Sequence, residues 1–497
     1  MNKVVFENEI TLYWDKNWAA LQKPNYSIFL NEKLICQTQK THFSINSLSP
    51  ETTYHIIIKE FIGENECVIF DENITTSKKK KDIDITKPPF CAVGDGKTVN
   101  TETIQKVLDS CRENERVYIP CGTFMTGALN IHSNTEIYIE KGGVLKGTAE
   151  LSDYMPKIKS RFEGTEMMCY RSLINMGKLD RAGGYFCENV ILRGGGTIHG
   201  GGEALANNII EFETERLREY LEQNADYVAT CENLQTIPGR SRGRLINMSN
   251  CKNIILSNLT LGFGPCWNVH FIYSKDILTY GCKIESSGVW NGDGWDPDSS
   301  EDCTIFNTEF KTHDDGIAIK SGKNPEGNII NRPTKNIRIF DCFGRKGIAI
   351  GSELSGGIDG VFVWDCEYLD WIGIQLKTTK KRGGYIKNVR VKDSSFACVQ
   401  LATNLSYNND GEGAETITDI ENISFSDLTL TARGIDWDNI TPCRFTPIKI
   451  EGFEDEEHFA KNLSFKNIKS SPVFSKEESI KISGVKDLTI ENVTLEN

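Results

Sequence analysis

Residues 253–284 read NIILSNLTLGFGPCWNVHFIYSKDILTYGCKI. Asn253 introduces a short apolar, β-branched run (Ile254, Ile255, Leu256), and the same signature returns at Asp276 with Ile277 and Leu278. Followed outward in both directions, it recurs at Asn189, Asp302, Asn336, Gly360, Asn388, Asn422, Asn462 and Asp487. The steps through Asn253, Asp276, Asp302, Asn336, Gly360 and Asn388 are similar but not equal. Each is roughly 20–35 residues, the size of one structural repeat. A repeat of this length with one short strand signal and variable turns is one coil of a solenoid, because stacked coils tolerate length changes only in their turns. The reading is mainly β: a right-handed parallel β-helix over residues 91–497, preceded by a small β-sandwich over 1–82 and a linker over 83–90. Such a stack leaves its first rung open, and an open edge must be covered. Residues 101–112, with Ile104, Val107, Leu108 and Cys111 apolar, form an amphipathic helix suited to that place. A second helix is expected over 207–223, inside a long insertion (201–240) that could wall one end of a cleft.

Bulk properties narrow the function classes. The 497 residues carry 56 Lys and Arg against 69 Asp and Glu, a net charge of −13, with 39% hydrophobic and 25% charged residues. Wrapping a nucleic acid relies on clustered cations, so no nucleic-acid partner is expected. The run Lys78 to Lys81 lies between two patterned regions and reads as solvated linker. No apolar stretch approaches the ~20 residues of a membrane span, so no membrane partner is expected. Acidic residues at the N-terminus interrupt any signal-peptide core; the expected location is cytoplasmic, or secreted if a leader has been removed. Sixteen cysteines without a C-x-x-C pair read as free thiols packed as small hydrophobes. No metal or cofactor motif is present, and none is expected.

Near the N-terminus Ile10 and Leu12 alternate with polar neighbours close to Trp14, and Tyr26–Leu30 reads as a strand. Leu48, Pro50, Thr52, Thr53 and Tyr54 then lead into another strand. This corner resembles that of fibronectin type III modules, where a Tyr hydroxyl ties a loop to the sheet. The expected role is a spacer or wall.

The chemistry concentrates in NGDGWDPDSSEDCTIFNTEFKTHDDGIAIKSGKN, residues 291–324. The interval from Asp293 to Asp314 is close to one short coil, and neighbouring rungs lie about 4.8 Å apart. Asp293, Asp314 and Asp315 should therefore gather in one groove. Carboxylates that close repel, which raises at least one pKa and leaves a proton near neutrality. One protonated acid and one ionised base are the requirement of glycosidic cleavage. Lys346 follows Asp315 at a coil-like interval, and Lys377 follows Lys346 at an equal one. In Gly373–Lys377, Ile374 and Leu376 alternate with Gln375 and Lys377, so the polar pair should face out together. A column of carboxylates followed by two lysines would suit an anionic sugar.

These residues resemble glycoside hydrolase family 28, the polygalacturonase family of inverting pectin hydrolases, over roughly 88–497. VGDGKTVNTETIQKVLDSC (93–111), VYIPCGTFMTGALNI (117–131) and PCWNVHFI (265–272) are similar to bacterial members. The family's Asn-Thr-Asp matches Asn291-Gly292-Asp293, its paired aspartates match Asp314-Asp315, and IAIGSELSGGI (348–358) is similar to the stretch after its Gly-His-Gly. The resemblance implies Asp314 as general acid, with Asp293 and Asp315 activating water across a gap of ~6.5–9.5 Å. It further implies substrate contacts at Asn291, His313, Arg345, Lys346, Glu353, Gln375, Lys377 and His270.

Three positions depart from the family pattern. Arg345-Lys346-Gly347 stands for Gly-His-Gly, Gln375-Leu376-Lys377 for Arg-Ile-Lys, and His313 for the Gly before the paired acids. Gln375 lacks a guanidinium's charge and bidentate grip. The expected function is an exo-acting, inverting hydrolase of α-linked galacturonate or a related sugar in pectin-type oligosaccharides. The alternatives are a same-fold hydrolase of a non-uronate glycan, a calcium-dependent pectate-lyase-like enzyme, and a non-catalytic glycan-binding protein. Trp267, Trp290, Trp295 and Trp371 are candidates to stack on sugar faces, with core packing as the competing role.

Overall fold

The computed structural model describes residues 1–231, 233–407, 411–436, 440–471 and 479–495. The chain divides into two compact units, Met1–Asp82 and Ile83–Asn497. Residues 83–90, expected as a linker, belong to the second unit, because Ile85 is buried in its core.

The first unit pairs a three-stranded sheet (Asn2–Val5, Glu9–Tyr13, His42–Asn46) with a four-stranded one (Lys33–Thr38, Asn25–Leu30, Thr53–Ile62, Asn65–Thr75). Ile10, Leu12, Ile28, Ile45, Ile56 and Ile58 fill its core. Trp14 meets Tyr26 edge-on at 5.1 Å. The Ser49 amide donates to the Tyr54 hydroxyl at 2.9 Å.

The second unit is the parallel solenoid. One face is an eleven-stranded sheet running in chain order: Leu129–Ile131, Ile174–Gly177, Ile246–Ser249, Val269–Ile272, Trp295–Asp298, Ile317–Ile319, Ile348–Gly351, Ile374–Lys377, Val399–Ala402, Ile448–Glu451 and Ile480–Ser483. The remaining coil faces form one continuous larger sheet. The repeat signature has a backbone cause. Asn189, Asn253, Asp276, Asp302, Asn336, Asn388, Asn422, Asn462 and Asp487 all adopt φ between 55° and 59°. Asn and Asp visit this left-handed region more readily than other side-chain-bearing residues, and Gly360 (φ 78°) fills the same place without a Cβ. The side-chain amides then bond rung to rung, as in Asn462 to Asn422 (2.7 Å) and Asn388 to Asp359 (2.6 Å). Inside, identical positions stack: Ile337, Val361, Val389, Ile423 and Leu463 are successive register partners, and the column ends at the exposed Leu488 on the last rung. Tyr280, Phe306, Phe340 and Trp364 stack nearly parallel at 5.1, 4.8 and 4.3 Å. All sixteen cysteines are free thiols.

The first helix spans Thr101–Ser110 and buries Ile104, Val107 and Leu108. It covers the open rung with these side chains, with Thr101, which accepts from the Gly127 N–H at 2.7 Å, and with Gln105. The Gln105 amide accepts from the Asn130 backbone N–H (2.9 Å) and donates to its carbonyl (3.0 Å), completing the edge strand Leu129–Ile131. Gln105→Ala should cost about 1 kcal/mol, the net worth of solvent-accessible hydrogen bonds. Urea denaturation checks this, and an unchanged midpoint would mean the helix covers the edge by packing alone. The second helix begins earlier than expected, at Gly202, because Leu205 and Ala206 already bury their side chains. It breaks at Leu217 into Gly202–Arg216 and Arg218–Gln223.

Candidate active site

Strand alternation positions the groove. Trp295, Ile317 and Ile319 face the core, so Asp296, Asp298, Ala318 and Lys320 lie on the outer face. Asp293 precedes the first of these strands, and Asp314 and Asp315 precede the second. The Gly294 amide donates to the Asp315 carbonyl at 3.0 Å, which makes the two acidic segments direct rung neighbours. Gly294 is required there, because a Cβ would collide with the Gly316 carbonyl oxygen.

Asp293, Asp314 and Asp315 line one cavity of about 250 Å³. Burial is the main force on Asp293, which is 4% exposed; with Asp314 and Asp315 opposing its ionisation and Lys320 favouring it, its pKa is pushed up to about 8. Burial also raises Asp315, against the pull of Lys377, whose Nζ sits 2.8 Å from its Oδ2. Asp296, fully buried beneath the cavity, is raised well above the carboxylate range, first by burial and then by Asp293. The Asp315 amide donates to Asp314 Oδ1 at 2.9 Å and fixes that carboxyl's direction. Asp293 therefore keeps a proton available in the groove near neutral pH.

Lys320 joins these acids. Its Nζ lies 3.4 Å from Asp293, 3.6 Å from Asp296 and 3.6 Å from Glu353, and 4.4 Å from the Trp267 ring centroid. Nothing in its sequence context marks this lysine except the alternation of Ile317 and Ile319. Lys323, from the turn after Lys320, also lines the cavity, and Glu163, Arg382 and Tyr407 come from segments far apart in sequence. Glu163 sits at the turn of an antiparallel hairpin (Ile158–Phe162 with Thr165–Cys169), so this hairpin forms one wall of the cavity. Burial raises the Glu163 carboxyl, against the pull of Arg240 and Lys323. Arg161 fastens the hairpin by bonding Asp298 at 2.6 Å and the Tyr273 hydroxyl. Burial opposes ionisation of Asp298, but Arg161 and His270 together outweigh it and hold the pKa down to about 2. The insertion expected to wall one end of the cleft meets this hairpin through Arg240, 3.2 Å from Glu163.

Of the expected substrate contacts, Asn291, Glu353 and Lys377 line the cavity, and the other five do not. Arg242 holds the Asn291 side chain at 2.6 Å. His270 is 0% exposed, 4.8 Å edge-on to Trp267 and 3.4 Å from Asp298, and burial lowers its pKa to about 3; it supports the floor. Gln375 bonds Gln400 on the next rung at 3.2 Å. Lys346 lies over the Trp371 ring at 4.7 Å. Arg345 acts on Asp370, and the His313 amide donates to Ser286 Oγ. The expected column of Lys346 above Lys377 is also corrected. Ile348 pairs with Ile374, so Lys377 stands opposite Gly351, and its ammonium reaches back to Asp315. Of the four tryptophans, Trp267 lines the cavity, Trp295 is in the core, Trp290 lies under Arg242 and Trp371 under Lys346.

A family model described as Glycosyl hydrolases family 28 matches residues 130–443. A probable polygalacturonase of Vitis vinifera is 30% identical over 63% of this chain; the match spans 60% of that protein, less than two thirds of its length. The exo-poly-alpha-D-galacturonosidase of Dickeya chrysanthemi is 25% identical over 97% of this chain and 83% of that protein. Among solved structures, a family 28 exopolygalacturonase of Yersinia enterocolitica shares the fold with a TM-score of 0.78 at 19% identity, over 100% of this chain and 96% of that one. The chain is thus a right-handed parallel β-helix with a cluster of carboxyl groups in its groove. With the family match covering well over half its length, the chain belongs to glycosyl hydrolases family 28.

Proposed function

We propose that this chain is an exo-acting hydrolase that releases galacturonate from pectin-type oligosaccharides with inversion at the anomeric carbon. The observation that carries the reading is the meeting of Asp293, Asp314 and Asp315 in one cavity that the Glu163 hairpin walls on one side. The Dickeya relative, matched over most of both chains, supports the exo mode and the substrate.

Asp314 is the general acid, protonating the leaving glycosidic oxygen. Asp315, with the Lys377 ammonium 2.8 Å from its Oδ2, takes the proton of the attacking water with Asp293 beside it. The water attacks the anomeric carbon from the face opposite the departing oxygen, one C–O bond forms as the other breaks, and the water's second proton stays on the new hydroxyl. Lys320 keeps the buried acids from accumulating uncompensated charge.

Digestion of polygalacturonate tests this directly. The expected product is galacturonate monomer from the first time points, β-configured by proton NMR before mutarotation. A ladder of early oligomers would overturn the exo mode, and an unsaturated, ultraviolet-absorbing product would overturn hydrolysis altogether.

A further inference from the structure

Arg242 does not line the cavity, yet its guanidinium reaches the turn that carries Asn291. Nε donates to the Gly239 carbonyl at 2.9 Å, and Nη1 to the carbonyls of Pro265 (2.9 Å) and Trp290 (2.7 Å). Nη2 donates to Asn291 Oδ1 at 2.6 Å. The guanidinium carbon sits 4.5 Å from the Trp290 ring centroid and 5.6 Å from that of Phe162. One buried side chain thus joins the end of the 201–240 insertion, the turn before the strand Val269–Ile272, and the turn that leads to Asp293. Ser286 holds that last turn from its other end, where its hydroxyl donates to the Gly292 carbonyl.

The polarity of the Asn291 amide follows from this contact. An arginine side chain donates hydrogen bonds and accepts none. The Asn291 atom it meets must therefore be the amide oxygen, and the Nδ2 end is turned the other way. Asn291 lines the cavity, and among the described residues its Nδ2 has no protein acceptor. The amide accordingly offers the cavity N–H donors and no acceptor, just before Asp293 in the chain. Without Arg242 the amide would lose its reason to prefer one end over the other, because the terminal torsion of Asn is broad and nearly two-fold. A charged donor on the oxygen also polarises the amide and strengthens its N–H groups as donors.

We propose that Arg242 is a positioning residue that locks Asn291 as a donor toward an acceptor oxygen of the bound sugar, and so holds that sugar in register with Asp293. Arg242 touches no substrate itself; its effect passes through the Asn291 amide. The inference rests on the pectic reading of the site, and the experiment separates the two.

Wild type, Asn291→Ala, Arg242→Met and the double variant are compared on digalacturonate. Each single change should lower kcat/KM about 10-fold, the upper end for one net hydrogen bond. The double variant should also lie about 10-fold down, since Arg242 has nothing to position once the Asn291 amide is gone. An unchanged Arg242→Met, or losses that multiply to ~100-fold in the double variant, overturns the role, because independent effects add in free energy. Arg242 is 0% exposed, so if circular dichroism shows Arg242→Met misfolded, Asn291→Asp decides. There one carboxylate oxygen takes the guanidinium and the other faces the sugar as an acceptor, and KM should rise beyond that of Asn291→Ala. A KM at or below that of Asn291→Ala would mean that the sugar donates to this position, and the proposal falls. Wild type that leaves digalacturonate uncleaved overturns the pectic reading and the positioning role with it; multiplying losses on a cleaved substrate overturn the positioning role only.

Discussion

Asp314→Asn is expected to lower turnover by roughly 10²–10⁴-fold, the contribution of a positioned general acid. The amide is nearly isosteric and still accepts the Asp315 N–H through its oxygen, the bond that measures 2.9 Å to the carboxylate. Fold and binding should therefore survive, and the loss should appear in kcat with KM little changed. A substrate whose leaving group needs no proton gives the sharper readout. An aryl galacturonide with an acidic phenol should lose far less than digalacturonate. Equal losses on both substrates would mean that Asp314 does not protonate the leaving oxygen.

Lys320→Met should be the most destabilising change in the site. It removes a cation within 3.6 Å of Asp293, Asp296 and Glu353 while leaving those groups buried. Breaking a buried ion pair from one side costs about 3–5 kcal/mol. The pH dependence identifies the cause. Asp293 and Asp296 already have folded-state pKa values above their unfolded ones, Asp293 at about 8. Such groups contribute nothing unfavourable below the unfolded value of about 4 and cost stability progressively as pH rises through the folded value. Without Lys320 their folded values rise further, so the deficit of the variant should be larger at pH 8 than at pH 5 in urea denaturation. The same shift should move the rising limb of kcat/KM that ionisation of Asp293 sets, expected near pH 8 in wild type, to higher pH. A deficit independent of pH would reduce Lys320 to a packing residue.

The solenoid and the meeting of the three acids were legible because both follow from local chemistry. The left-handed Asn and Asp positions are written into each repeat, and the gap from Asp293 to Asp314 is one coil by the same spacing. Lys320 was legible in principle, since the alternation that turns Lys377 outward also turns Lys320 outward. Counting coils held from Asp315 to Lys346, since Ile317 pairs with Ile348, and failed from Lys346 to Lys377. The two intervals are equal and both look like whole coils. The true step, from Ile348 to its register partner Ile374, is shorter, and turn length absorbs the difference. Chain spacing alone does not fix register where turns vary. Glu163, Arg382 and Tyr407 reach the cavity from excursions that leave the coil and return, and no periodicity predicts where such a loop lands.

The site's place along the stack has its own consequence. Its acids and cations are carried by the fifth, sixth, seventh and eighth of eleven strands in the groove sheet. Stacked coils exchange contacts only with their neighbours, so thermal opening starts at the termini and travels inward. Partial melting therefore strips the outermost windings while the reacting groups are still clamped between intact layers. Catalytic competence should outlast the first loss of ordered backbone on heating.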